Sequence, residues 1–216
     1  MKLSHVMMLR KYNNKGEYTP FPGLTVVASV QSADKCLWSE VNRLITECTL
    51  LDSCYAPLSY TSYHMTALNL FTEQAIGSEK WKDFIISNTP LFKAIRTALE
   101  SNTFCPEVTI DSLKVSRTIK LVVRLPSVQK KTIDDIAQQF ELTKKIPHPF
   151  HITLAYRFKM IDKKTEHDIE LQLNQSLEHL LIGRTVVLNP PELCFFNDMK
   201  SFIPWDVSNV PFNSYR

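Results

Sequence analysis

Two segments of this chain repeat one small pattern, a histidine and a threonine separated by one apolar residue. They are His64-Met65-Thr66 and His151-Ile152-Thr153. A neutral imidazole takes a proton from an attacking oxygen, and a protonated one gives a proton to a leaving oxygen. Unperturbed histidine titrates near pH ~6.5, so two of them can hold opposite protonation states near neutrality. A threonine hydroxyl beside each donates a hydrogen bond to a non-bridging phosphoryl oxygen, where charge must be held. One such pair is half a site. Two, brought together, form a symmetric acid/base clamp for phosphoryl chemistry with no required metal.

The clamp needs both members of each pair on one face of a strand. Side chains alternate faces along a strand. In the first segment His64 and Thr66 share a face with Ser62, while Tyr63, Met65 and Ala67 take the other. In the second, Phe150, Ile152, Leu154, Tyr156 and Phe158 define an apolar face, and His151, Thr153, Ala155 and Arg157 lie opposite. Each histidine then stands roughly 6–7 Å from its threonine by strand rise. The same parity expects Tyr156 to pack in the core. Pattern alone leaves two readings open, because histidine and threonine also serve as plain strand residues.

The surrounding elements follow from periodicity. Leu24 to Gln31 alternates as a strand, and residues 33–51 carry helical spacing. Tyr60 to Leu70 reads as the first motif strand. A segment at 79–87 and a helix opened by Pro90 come next, then strands at 106–113 and 118–125. A helix over 129–143 leads to the second motif strand, Phe150 to Phe158. An amphipathic helix over 164–182 and short strands at 184–189 and 192–197 close the pattern. In each half the motif strand is the third element of a strand–helix–strand order. A duplicated α+β unit with two lobes and a cleft between them explains this order. No Pro/Gly/Ser-rich linker separates the halves, so residues 1–216 read as a single bilobal domain.

Composition narrows the chemistry. The chain has 216 residues, 44% hydrophobic and 22% charged, with a net charge of +3. That balance suits a soluble globular protein and argues against an extended duplex nucleic-acid surface. Only four glycines occur, Gly16, Gly23, Gly77 and Gly183. There is no glycine-rich phosphate loop, so any phosphate chemistry must use side chains. Five dispersed cysteines form no C-x-x-C pair. Reduced thiols in a cytoplasmic protein are expected rather than a disulfide framework or zinc site. The apolar run Val6–Leu9 is too short for a signal peptide, and no run approaches a membrane span.

Secondary candidates are fewer. Lys120 and Arg124 share the polar face of their strand and would pair with phosphate oxygens if that face lines the cleft; solvated strand-face cations are the plainer reading. Phe195 and Phe196 point to opposite faces, so one could stack on a base, though packing in the core is the commoner fate. His148 and His151 form His-x-x-His, but the intervening Pro149 and the lack of a nearby Cys, Asp or Glu argue against a metal pair.

The motif segments resemble the two-histidine phosphoesterase superfamily, LigT-like or cyclic phosphodiesterase-like proteins with two His-h-(Thr/Ser)-h motifs, where h is hydrophobic. His64-Met-Thr66-Ala67 and His151-Ile-Thr153-Leu154 both fit. Phe21-Pro-Gly-Leu-Thr25, Ser62-Tyr-His-Met-Thr66 and His151-Ile-Thr-Leu-Ala-Tyr156 further resemble one uncharacterised branch. The resemblance covers about residues 17–205. It implies two antiparallel sheets lining a central cleft, with helices outside. It implies that His64 and His151 are the acid/base pair and that Thr66 and Thr153 hold the phosphate. It also implies a metal-independent, cofactor-free enzyme acting on a 2′,3′-cyclic phosphate or 2′–5′ phosphodiester of a nucleotide or RNA end. A second reading is a non-catalytic nucleotide-binding module of the same fold. No membrane partner is expected, and the protein is expected to be a monomer.

Overall fold

The computed structural model describes residues 11–206. The Val6–Leu9 run and His5 lie outside them. The elements, in chain order, begin with β1 (Gly23–Ser29), α1 (Lys35–Thr46), β2 (Tyr55–Pro57) and β3 (His64–Thr72). Three helices follow, α2 (Glu73–Ile76), α3 (Ser78–Ser87) and α4 (Thr89–Ser101). The second half runs β4 (Glu107–Val115), β5 (Thr118–Arg124), α5 (Ser127–Gln139), β6 (His151–Arg157) and α6 (Lys163–Leu181). Strands β7 (Thr185–Val187), β8 (Glu192–Phe196) and β9 (Ile203–Pro204) end it.

Local chemistry sets these bounds. Pro90 stands in the first turn of α4, where its missing N–H costs nothing. The Asp162 carboxylate accepts from the Thr165 N–H and caps α6. Residues 60–62 form a 3₁₀ turn rather than the start of a strand, so Ser62 precedes β3 instead of belonging to it.

All the strands join one antiparallel sheet in the order β7-β4-β5-β6-β3-β1-β8-β9, with β2 pairing with β6. The expected two sheets are therefore two halves of one. The halves meet where β3 pairs with β6, through the single bridge Met65–Ile152. Each half repeats strand, helix, motif strand: β1–α1–β3 and β5–α5–β6. Met65, Ile152, Ala28 and Leu121 share one face at the seam, and all four are fully buried. They belong to one continuous hydrophobic cluster that draws on both halves. Helix α6 packs on β4 and against α1, while α4 packs on β8 and against α5.

The opposite face is wetter, and it carries the motifs. Two details of register decide what stands there. On β1–β3, Val27 pairs with Thr66 but Val26 pairs with Leu68, so Ala67 is an extra residue. On β5–β6, Lys120 pairs with Thr153 but Ile119 pairs with Ala155, so Leu154 is extra. Both motif strands thus carry a one-residue bulge directly after the motif threonine. A bulge re-aims every later side chain on its strand.

Candidate active site

Antiparallel pairing places cross-strand partners on the same face. Counting one step from Met65–Ile152 in each direction sets His64 opposite Thr153 and Thr66 opposite His151. The four residues form a compact quartet at the seam of the two halves, and all four are partly exposed. Ser29 flanks His64 from β1, and Val27 flanks Thr66. On the other side Lys120 flanks Thr153 and Val122 flanks His151. In the second half a lysine thus occupies the place that a valine holds in the first.

Both imidazoles are held in the same way. His64 Nδ1 donates to the Ser62 carbonyl at 2.7 Å, and His151 Nδ1 donates to the Pro149 carbonyl at 3.0 Å. A carbonyl only accepts, so the hydrogen sits on Nδ1 in each ring. Nε2 is left as the nitrogen able to accept a proton in each ring. The His64 ring lies 4.1 Å from the Phe202 ring, centroid to centroid. Burial pushes the His64 pKa down to about 4; the Ser62 carbonyl partly opposes this, and the charges of Lys11 and His151 add to it. Burial also lowers His151, against the pull of the Pro149 carbonyl, with Lys120 and Lys11 adding to the shift. Both shifts favour the neutral ring at pH 7.

Lys120 stands beside Thr153. Arg124, at the far end of β5, pairs with Asp111 at 3.1 Å. Phe195 and Phe196 are both buried, and Phe196 packs on Phe21 and Phe202. Phe202 is the aromatic side chain that meets His64.

Tyr156 departs from the packing expected of it, and the Leu154 bulge is the reason. Past the bulge Tyr156 pairs with Thr118, on the face of Lys120 and Thr153, and is partly exposed. The same slip turns Ala155 and Arg157 away from the motif face. Ala155 is fully buried, and Arg157, 8% exposed, pairs with Glu166 of α6 at 2.9 Å. Simple alternation cannot foresee this, because an inserted residue leaves no periodic mark.

Lys11 escaped the sequence reading altogether. Its Nζ donates to the Tyr156 hydroxyl at 3.0 Å, across 145 positions of chain. A cavity of about 500 Å³ opens on the other side, beside His64, with Ser29, Arg96, Asn189, Phe202 and Trp205 in its walls. Among the described residues no group of three or more His, Cys, Asp or Glu side chains is gathered for a metal ion. None of the described helices is long and apolar enough to cross a membrane.

Residues 11–115 match the model of a 2H-phosphodiesterase family described as a domain of unknown function (DUF1868). This span, a little under half of the chain, is similar to the two-histidine phosphodiesterase family. The matched span holds the first motif; the second enters through the fold, which seats it beside the first. A conserved protein of unknown function from Agrobacterium tumefaciens, ATU0111, has a similar structure. Its TM-score is 0.66 at 20% sequence identity, over 93% of this chain and 91% of that one. Uncharacterized protein 127L of Invertebrate iridescent virus 6 is 23% identical over 237 residues, 91% of this chain and 94% of its own. Usb1 of Kluyveromyces marxianus with uridine monophosphate gives a TM-score of 0.45 at 11% identity, over 86% of this chain and 98% of that one. Within the site, the quartet and its bulges are the repeated parts. Lys11, Lys120 and the cavity are the parts that differ between the halves.

Proposed function

We propose that this chain is a metal-independent phosphoesterase acting on a 2′,3′-cyclic phosphate or a 2′–5′ phosphodiester of a nucleotide or RNA end. The observation that carries the reading is the quartet itself. Two imidazoles, each fixed through Nδ1 by the carbonyl two residues earlier, share one face with two threonines set crosswise between them.

The chemistry follows for a cyclic phosphate. One neutral imidazole takes a proton from water as its oxygen bonds to phosphorus. The ribose oxygen leaves and takes a proton from the other imidazole, protonated in the bound complex. The product is a phosphomonoester beside a free hydroxyl. The threonine hydroxyls donate to the non-bridging oxygens, whose charge grows in the transition state. His64, the more desolvated ring, is the base in this scheme and His151 the acid. The cavity beside His64 takes the organic part of the substrate, since its size lies in the ordinary range for small-ligand sites.

The test is a panel of 2′,3′-cyclic nucleotides and 2′–5′ oligoadenylate incubated with the protein in the presence of a chelator. Turnover by wild type, abolished in His64→Ala and in His151→Ala, is expected. Turnover that survives both substitutions, or binding of a mononucleotide with no product from any member of the panel, overturns the reading; the second result identifies a binding module.

A further inference from the structure

Residues 11–19 form a short hairpin that the phosphoesterase chemistry has not yet used. Tyr12 and Tyr18 pair across it, and the Thr19 N–H donates to the Lys11 carbonyl at 3.1 Å. The Asn13 side chain accepts from the N–H groups of Lys15 and Glu17 and closes the turn. Gly16 supplies the positive φ of 79° that the turn needs, and a β-carbon there would stand 3.0 Å from the Phe158 ring. Tyr12 is buried and lies 5.6 Å from the Tyr156 ring. The hairpin is thereby fastened to β6, and the position of Lys11 is fixed with it.

The Lys11 ammonium lies 4.4 Å from the Tyr156 ring centroid and 5.2 Å from that of Phe21, besides its bond to the Tyr156 hydroxyl. Lys11 has no carboxylate partner among the described residues, and neither has Lys120. A long cation held in place gives up rotamer entropy. The ring contacts and the Tyr156 hydroxyl hold Lys11 in place, while its charge is left for an anion. Tyr156, which Lys11 meets, shares the face of Thr153 and Lys120; the charge of Lys11 lowers both His64 and His151, and that of Lys120 lowers His151.

We propose that Lys11 is a phosphate-binding residue of this cleft, carried by the hairpin and aligned by Tyr156, contacting a non-bridging oxygen of the reacting phosphoryl group. Lys120 is its counterpart on β5. A phosphodiester gains negative charge on those oxygens as the nucleophile bonds, and a fixed cation favours that change. The kinetic half of this proposal rests on the phosphoesterase reading; the anion-binding half does not.

The experiment compares Lys11→Met, Lys11→Arg and wild type. Binding of inorganic phosphate is followed by calorimetry, and the two imidazoles are followed by proton NMR titration. Loss of one charge-assisted contact weakens phosphate binding about tenfold in Lys11→Met. Both histidine pKa values rise in that variant, and Lys11→Arg, which keeps the charge, restores most of the binding. A Lys11→Met protein with wild-type melting that binds phosphate as wild type does overturns the proposal. Weakened binding that Lys11→Arg fails to restore, with both histidine titrations unmoved, also overturns it. Lys11-dependent phosphate binding with no turnover of any cyclic nucleotide leaves Lys11 in place and removes the phosphoesterase reading instead.

Discussion

His64 has Thr153, not its own Thr66, as its neighbour across the β3–β6 seam. The threonine across the strands from each histidine therefore comes from the other half of the molecule. Each half brings one histidine and one threonine to the seam, and the seam sets each histidine beside the threonine of the other half.

The crosswise arrangement predicts that the two threonines matter equally. Thr66→Val and Thr153→Val keep the shape and the strand propensity and remove one donor each. Each is expected to lower kcat by about 10²-fold with little change in KM, as loss of an oxyanion donor does. Steady-state kinetics on a 2′,3′-cyclic nucleotide measures this. A loss confined to KM would assign the hydroxyls to ground-state binding instead.

The depressed histidines predict an acidic optimum. The base must be neutral and the acid protonated in the free enzyme for kcat/KM. With His64 pushed to about 4 and His151 lowered from 6.5, the bell-shaped profile should peak between those values, on the acid side of 6.5. The two limbs belong to the coupled pair rather than to single residues. A profile of kcat/KM from pH 3.5 to 9 reads it directly, and a maximum above 7 would contradict the desolvated pair.

The same shifts predict how stability varies with pH. Both folded pKa values lie below the unfolded value, so the unfolded chain binds more protons in the interval between them. The stability contributed by neutral His64 and His151 is complete above pH 6.5 and is lost as the pH falls towards 4. A shift of the size seen at His64 corresponds to on the order of 3 kcal/mol at 1.36 kcal/mol per unit. Urea unfolding at several pH values should show the slope in that window, and His64→Gln should flatten it.

Gly23 tests the support beneath the site. A β-carbon there would collide with the Phe196 ring and stand 2.8 Å from the Phe71 carbonyl oxygen. Gly23→Ala must displace one of them, at a cost of about 1–3 kcal/mol for overpacking. Phe196 packs on Phe202, and Phe202 packs on His64, so the displacement leads to the His64 ring. Denaturant unfolding gives the stability loss, and the histidine titration shows whether the His64 pKa follows.

The quartet and the order of elements were legible in the sequence for a local reason. Parity holds between a histidine and the threonine two residues on, so each motif shows its shared face without further information. The apolar spacing of α1, α4, α5 and α6 likewise records which sides are buried. Parity failed one step past each threonine, at Ala67 and Leu154, where an added residue reverses the faces without changing the composition. Tyr156 and Arg157 exchanged their expected surroundings for that reason.

What the sequence by itself determined is the pair of His-x-Thr strands, each in the third place of a repeated unit. Only the tertiary structure decided which threonine meets which histidine, that the two halves share one sheet, and that Lys11 reaches Tyr156 from 145 positions away. The physical reason is range. Alternation along a strand is written in neighbouring residues, whereas register across a seam and the docking of a hairpin depend on how distant segments bury their apolar faces together.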